Sequence, residues 1–505
     1  MNRNKELFIN MSASFIAYIV SIGISFFLSP YVIETIGVEA YGFVGLANNF
    51  ISYAGLITIA LNSLAGRFIT ISIYEKDMRK ANKYFTSVFY ANLILTAVMG
   101  LFMIAILIYL DKLINIPKSI EGDVKVLFAV LFANCLLGTV TSVFSVATFA
   151  TNKLYIDSIR TIEGNIIKVI VTVGLFILFV PKVCYIGITA LITGVYSALF
   201  KVYYAYKLTP ELKIKKKYFD IKAVWQLLTS GIWNLITRLG TLLLDGLDLL
   251  ITNLFIDSVA MGVLSIAKII PTAINGIVGT LVGIFSPDFT ILYAEKKYNE
   301  LVSAVKQSMK IMGIICNLPI IILIVCGEQF FNLWQPTQDA RQLQILSILT
   351  CAGLIFNGGI NSIYNIFTVV NKLKFNSILV CACGAVSTSI VFILLKITNL
   401  GVYAVAGVST SVLIIKNVLL IVPYGAKCLK QKWHTFYPSV IRPVIFVVIS
   451  SAIGYTIKGI FPFGGWFDLI LFGLIVFIIS VFIGMFIILN KNDRDSIAAK
   501  IRKRG

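Results

Sequence analysis

The chain is a succession of apolar runs, each long enough to cross a bilayer, and this feature decides most of what it can fold into. Stretches such as Leu7–Ser29, Phe85–Leu110 and Ile470–Leu489 recur from one end to the other. A spanning helix needs roughly 20 apolar residues, and roughly fourteen such stretches follow one another. In hydrocarbon every backbone N–H and C=O must be satisfied within its own segment, so the runs are read as helices. Of the 505 residues, 58% are hydrophobic and only 13% charged, too few to clothe a water-soluble protein of this length. No long polar segment is left for a soluble domain. The expected fold is an all-α integral membrane protein of about 14 transmembrane helices. Leu7–Ser29 follows Arg3 and Lys5, as a signal peptide would. It is longer than a typical signal core and no small-residue cleavage site follows, so it is read as a retained first helix.

The 43 Lys and Arg against 23 Asp and Glu give a formal charge of +20. In a soluble protein that excess would suggest nucleic acid; here its placement follows the bilayer instead. Basic residues gather at Arg67, Lys76, Arg79, Lys80 and Lys83; from Lys207 to Lys222; at Lys296 and Lys297; at Lys427, Lys430 and Lys432; and from Lys491 to Arg504. The alternate loops around Val32–Gly37, Asp257 and Thr398–Leu400 are almost bare. This is the positive-inside pattern, and it predicts that both termini are cytoplasmic. The basic face is expected to attract anionic membrane lipids, and no nucleic-acid partner is expected. The eight cysteines are scattered through apolar runs, and His434 has no second ligand near it, so no metal site is expected.

The chain also resembles itself at a spacing of about 220 residues. Asn152-Lys-Leu-Tyr-Ile-Asp-Ser-Ile159 matches Asn371-Lys-Leu-Lys-Phe-Asn-Ser-Ile378, and Ala40-Tyr-Gly-Phe-Val-Gly-Leu-Ala47 matches Ala260-Met-Gly-Val-Leu-Ser-Ile-Ala267. The same offset sets Glu75-Lys76 on Glu295-Lys296, and a slightly shorter one sets Gly187 and Ala190 on Gly401 and Ala404. About six spans fill one repeat, an even number, so the copies are parallel repeats. The expected organisation is an N-terminal six-helix bundle at 1–206, a basic cytoplasmic linker at 207–224, a second six-helix bundle at 225–424, and two extra helices with a basic tail at 425–505.

Arg238, Asp245, Asp248 and Lys268 stand well inside the seventh and eighth runs, Trp225–Phe255 and Val259–Tyr293. A charge at mid-bilayer costs about 2.5–3.5 kcal/mol on insertion scales, and it persists where it faces a bundle interior or a watery cavity. Arg238, Thr241, Asp245 and Asp248 share one helical face; Ser265, Lys268, Thr272, Asn275 and Gly279 share another. The first two runs carry stripes at Ser14, Tyr18, Ser21 and Ser25, and at Asn48, Ser52, Gly55 and Asn62; weaker ones occur at Asn134–Ser145 and at Asn357, Asn361, Tyr364 and Thr368. The small and hydroxylic members equally suit close helix packing. Arg238 and Asp245, seven apart, are alternatively a structural ion pair. Lys268, whose repeat counterpart is Asn48, is read as facing a cavity. Pro271 and Pro287 are expected to bend the eighth helix, and Pro30 to close the first.

No GxxxxGK[ST] loop, HExxH motif or soluble catalytic domain is present, so neither ATP-driven transport nor a catalytic residue is expected. The chain resembles the polysaccharide flippases of the multidrug/oligosaccharidyl-lipid/polysaccharide exporter superfamily. The resemblance rests on Gly37-Val-Glu-Ala-Tyr-Gly-Phe43, on Leu264-Ser-Ile-Ala-Lys-Ile-Ile-Pro271, on Asn152-Lys153 with its repeat copy, and on the six-plus-six-plus-two pattern. It implies a flippase of the bacterial inner membrane that moves an undecaprenyl-pyrophosphate-linked oligosaccharide to the outer leaflet by ion-coupled alternating access. Polysaccharide polymerases and glycosyltransferases are the implied partners. Arg238 and Lys268 match the implied pyrophosphate-binding cations, with Asn48 and Asn275 beside them in the stripes and Arg67 at the entrance. Asp245 and Asp248 match the implied site for a coupling proton or sodium ion. The first helix lacks the arginine that lipid II flippases tend to carry, which argues against that cargo. Two rivals are a cation-coupled multidrug exporter of the same superfamily and a membrane-embedded glycosyl- or phospho-transferase.

Overall fold

The protein is described from a computed structural model over residues 3–283, 285–370, 372–490 and 494. Among the described residues, fourteen helices are long and apolar enough to cross a membrane: α1 (Ile9–Ile36), α2 (Val38–Tyr74), α3 (Met78–Ile108), α4 (Glu121–Ala150), α5 (Leu154–Leu178), α6 (Cys184–Leu208), α7 (Ile221–Gly246), α8 (Ser258–Val282), α9 (Tyr298–Trp334), α10 (Ala340–Val369), α11 (Leu373–Ile397), α12 (Val402–Cys428), α13 (Tyr437–Lys458) and α14 (Trp466–Ile487). No strand occurs among the described residues. The fold is thus the all-α, six-plus-six-plus-two array expected from the apolar runs. Asn371 of the repeat motif and the basic run from Lys491, apart from Arg494, lie outside the described residues.

The chain forms two compact units, Met1–Leu242 with Gly246–Gly262, and Leu243–Asp245 with Val263–Gly505. They do not coincide with the division at 206 and 225 read from the sequence, because most of α7 belongs to the first unit. The local reason is a close backbone crossing. A Cβ placed on Gly231 of α7 would stand 2.0 Å from the carbonyl oxygen of Ala60 on α2. Only glycine permits that approach. Asn234 donates to the Ser63 hydroxyl at 3.2 Å, and Tyr84 to Gln226 at 2.8 Å, along the same packed surface. At the start of α7, Asp220 accepts from the Lys222 backbone N–H at 2.9 Å and pairs with Lys83 at 3.1 Å. That backbone bond, with Lys83 beside it, holds the carboxyl below its usual range. In the second unit, α13 and α14 pack on α9 through a core that includes Val325, Phe446, Phe472 and Val476.

The repeat reappears as geometry. Lys76 and Lys296, equivalent positions after α2 and after the segment following α8, both have φ of 60°. Each closes its helix the same way: Asp77 N–H bonds Ser72 at 3.0 Å, and Lys297 N–H bonds Leu292 at 2.9 Å, the six-residue bond of a Schellman cap. Asn152 has φ of 55° at the α4–α5 turn. There Asn10 of α1 donates to the Asn152 carbonyl at 2.8 Å and accepts from the Tyr155 N–H at 2.9 Å, which gives the Asn152-Lys153 motif its structural work. A lysine in the left-handed region carries strain that glycine lacks. Replacing exposed Lys296 by glycine is therefore expected to stabilise the protein by about 0.5–1 kcal/mol, and replacing it by valine to destabilise it. Thermal unfolding of the purified variants in detergent checks the sign.

Two further repeat equivalents, Gly42 and Gly262, touch each other. A Cβ on Gly42 would lie 2.8 Å from the Gly262 Cα, and one on Gly262 would lie 2.4 Å from the Val38 carbonyl oxygen. Nearby, the Ser258 hydroxyl donates to the Glu39 carboxylate.

Candidate functional site

Several of the spanning helices are irregular, and Asp245 and Lys268, two of the charges found in the sequence, sit at such irregularities. Helix α7 contains a π turn at Leu242–Gly246, α12 contains another at Asn417–Ile421, and α8 is broken at Lys268 between Ser258–Ala267 and Ile269–Gly283. π turns are rare and gather at functional positions. The break in α8 is caused by Pro271, which has no N–H to give the carbonyl of residue 267. The structure repairs that loss, since the hydroxyl of Ser347 on α10 donates to the Ala267 carbonyl at 2.8 Å. The π turn of α7 is capped by side chains in a similar way. Leu243 accepts from Thr388 at 2.8 Å, Asp245 from the Lys268 ammonium at 3.0 Å, and Gly246 from Tyr53 at 2.7 Å.

In the first unit, Asp248 is buried, with 4% of its surface exposed, and its charge acts on the phenol of Tyr53. Arg67, Asn48 and Arg238 are exposed. The guanidinium of Arg238 makes no hydrogen bond or ion pair with any described residue, so it is not the structural ion pair that its spacing allowed. Asn48 donates to the Val44 carbonyl at 3.0 Å, within its own helix. In the second unit, Lys268 is half-buried and Asn275, seven residues further along α8, is exposed. Of the sequence-derived residues, the structure joins Lys268 to Asp245 through a backbone carbonyl. Among the described residues no group of three or more His, Cys, Asp or Glu is arranged to hold a metal.

Two polar groups escaped notice in the sequence. Lys416 of α12 is 3% exposed, and its ammonium lies 5.6 Å from the ring centre of Tyr364 on α10. Tyr364 donates to Asn417 at 2.6 Å, and Asn417 in turn donates to Asn357. Asp245 and Cys383 act on Lys416 electrostatically. The signal was available: Lys416 interrupts the apolar run Val402–Leu420, and Asn357 and Tyr364 belong to the stripe that looked weak. The second group lies between α5 and α6. Arg160 pairs with Glu163 at 2.5 Å, Tyr196 donates to the same carboxylate, and the guanidinium covers Phe200 at 4.5 Å. Here an i,i+3 spacing of opposite charges was the clue.

A family model described as polysaccharide biosynthesis protein matches residues 7–292, more than half of the chain. The chain belongs to this polysaccharide biosynthesis family. As a whole it is 26% identical over 495 residues to the uncharacterized membrane protein EpsK of Bacillus subtilis (strain 168), covering 98% of each. Among solved structures, the lipid II flippase MurJ in an inward closed conformation superposes with a TM-score of 0.67 at 15% identity, over 94% of this chain and 98% of that one. An inward-facing multidrug resistance MATE transporter of the MOP superfamily superposes with a TM-score of 0.64 at 16% identity, over 84% of this chain and 98% of the other. A MOP superfamily transporter from Pyrococcus furiosus gives 0.58 at 15% identity, over 83% and 95%. These likenesses show that this member of the polysaccharide biosynthesis family has the fold of MOP superfamily transporters.

Proposed function

We propose that this protein is a flippase that carries undecaprenyl-pyrophosphate-linked oligosaccharide units across the bacterial inner membrane for surface polysaccharide synthesis. The observation that carries the reading is the broken α8 of a polysaccharide biosynthesis family member. An ammonium at that break, Lys268, stands in the middle of a spanning segment. Arg238, on another spanning helix, offers a guanidinium that no described residue engages. Both cations suit a pyrophosphate, which takes charge-assisted hydrogen bonds from either. Asn48 and Asn275 are exposed amides suited to sugar hydroxyls, and Arg67 suits the first encounter with the anionic head group. The positive-inside pattern supports cytoplasmic termini and attraction to anionic lipids. In this reading glycosyltransferases supply the cargo and a polymerase consumes it.

Coupling belongs in this reading to the acidic pair on α7, with Asp248 as the group that exchanges a coupling ion, because it is the buried member and faces an ionisable phenol. The test uses the purified protein in liposomes with a labelled lipid-linked pyrophosphate oligosaccharide. Movement between leaflets in the absence of ATP is expected, and Asp248→Asn is expected to lose the response to an imposed ion gradient. Incorporation of free labelled sugar by the protein would instead establish a transferase. Accumulation of cationic dyes with no sugar movement would establish a drug exporter.

A further inference from the structure

Lys168 of α5 is a charge that the flippase reading does not use. It stands near the middle of a spanning helix. From Lys168 to Leu178, the nearer end of α5, the helix rises roughly 15 Å, further than a lysine stem can carry its ammonium towards water. What the ammonium meets is therefore inside the bundle or nothing. The exposed residues Ile159, Ile166, Ile170 and Ile177 recur at helical spacing and mark the side of α5 that faces lipid. Lys168 is two residues from both Ile166 and Ile170, roughly 200° round the helix, so it lies on the opposite side. The polar neighbours there serve helix packing. Asn165, one turn earlier, donates to the Ser21 hydroxyl of α1 at 2.6 Å, and Thr172, one turn later, donates to Thr189 of α6 at 3.2 Å. Lys168, half-buried between them, makes no hydrogen bond or ion pair with any described residue, and no charge among those residues acts on it. An ammonium at mid-membrane is costly to insert, so one that binds nothing in its own chain points to a ligand. Space for a ligand is present on the same side. A helical side chain leans over the turn N-terminal to its own Cα, and for Lys168 that turn carries Gly164. A Cβ placed on Gly164 would meet nothing within 4 Å. One turn earlier again, Thr161 is exposed although it too lies opposite the lipid-facing isoleucines.

We propose that Lys168 is a binding residue for the pyrophosphate of a lipid-linked cargo, which its ammonium meets in the open space over Gly164, wholly within the first unit. The ammonium is a point charge with three donors, and it gives a phosphate oxygen a charge-assisted hydrogen bond. A sugar hydroxyl receives no comparable attraction from it. The glycine one turn away lets a bulky anion come close to the helix backbone. The inference rests on the proposed function for the identity of the cargo alone. Its test uses a soluble anion and no lipid, so a failed flipping assay and a failed binding test are separate results.

The experiment is a titration of the purified full-length protein in detergent with inorganic pyrophosphate, with chloride as the replacement anion at constant ionic strength, followed by thermal unfolding. The protein carries Arg238→Ala and Lys268→Ala, so that those two cations do not contribute. It is expected to show a saturable upward shift of the unfolding temperature. Adding Lys168→Met is expected to raise the half-saturating concentration by about 10-fold or more, and Lys168→Arg to preserve it. Gly164→Leu leaves the ammonium in place but fills the space, and is expected to weaken binding as Lys168→Met does; a general attraction of anions to a basic protein would survive it. Arg238→Gln with Lys268→Gln replaces the alanine pair should that fail to fold. The proposal is overturned by the absence of a saturable shift in the folded background protein, or by a shift that Lys168→Met or Gly164→Leu leaves unchanged. An equal response to glycerol phosphate, the chemistry of an ordinary phospholipid head group, overturns the assignment to the cargo.

Discussion

Replacing Lys268 or Arg238 by alanine is expected to reduce export of surface polysaccharide by about 10- to 100-fold while the protein still inserts. A charge-assisted hydrogen bond is worth about 1.5–3 kcal/mol, and each 1.4 kcal/mol is a factor of ten. Both side chains lie in spanning helices, where a cation is retained against an insertion penalty. Lys268 has a second contact to lose, its bond to the Asp245 carbonyl at 3.0 Å. The comparison that separates binding from support is therefore Arg238→Ala, whose guanidinium engages no described residue, so a structural effect of its removal is expected to be small. Polymer on the cell surface, normalised to the amount of protein in the membrane, is the measurement. Normal polymer from both variants removes the pyrophosphate-binding role of these cations.

The largest expected effect on stability is at Gly231. A methyl group there meets the Ala60 carbonyl oxygen at 2.0 Å and its carbon at 2.8 Å, both backbone atoms that cannot swing aside. The helices must separate, at a cost of about 3 kcal/mol, the upper part of the range for overpacking. Gly231→Ala is expected to lower the unfolding temperature and the yield of folded protein. Gly164→Ala provides the control, because a Cβ there meets nothing within 4 Å. Alanine is the better helix former by about 1 kcal/mol, so that variant is expected to be neutral or more stable. Equal behaviour of the two variants would sink the claim that α2 and α7 are held by a glycine-dependent crossing.

The helices were legible because length and hydropathy suffice to define a span, whatever packs against it. The repeat was legible too, and the matched left-handed caps at Lys76 and Lys296 are its geometric expression. The division into compact units was not, since α7 continues a basic linker in sequence yet is drawn to α2 by the space that Gly231 leaves. Pro271 announced a break in α8, but the partner that makes the break tolerable, Ser347, is 80 residues away and carries no local mark. The π turns of α7 and α12 were invisible for a similar reason: their carbonyls are satisfied by Thr388, Lys268 and Tyr437, from other helices. Lys416 is different. An ammonium within a spanning helix is as costly there as at Lys268, yet it escaped notice because its own helix carries no companion charge. Its companions, Tyr364 and Asp245, come from two other helices.

The contact between Gly42 and Gly262 sets a condition on the duplication itself. Elsewhere the two copies have diverged freely, as Lys268 facing Asn48 in the alignment shows. At this crossing they have not been free to do so, because each copy's space is filled by the other's backbone. A side chain gained at Gly42 would meet Gly262, and one gained at Gly262 would meet the Val38 carbonyl, so either gain would push the other copy's backbone aside. Here the chain is its own nearest neighbour, and the two halves of its history are obliged to stay alike.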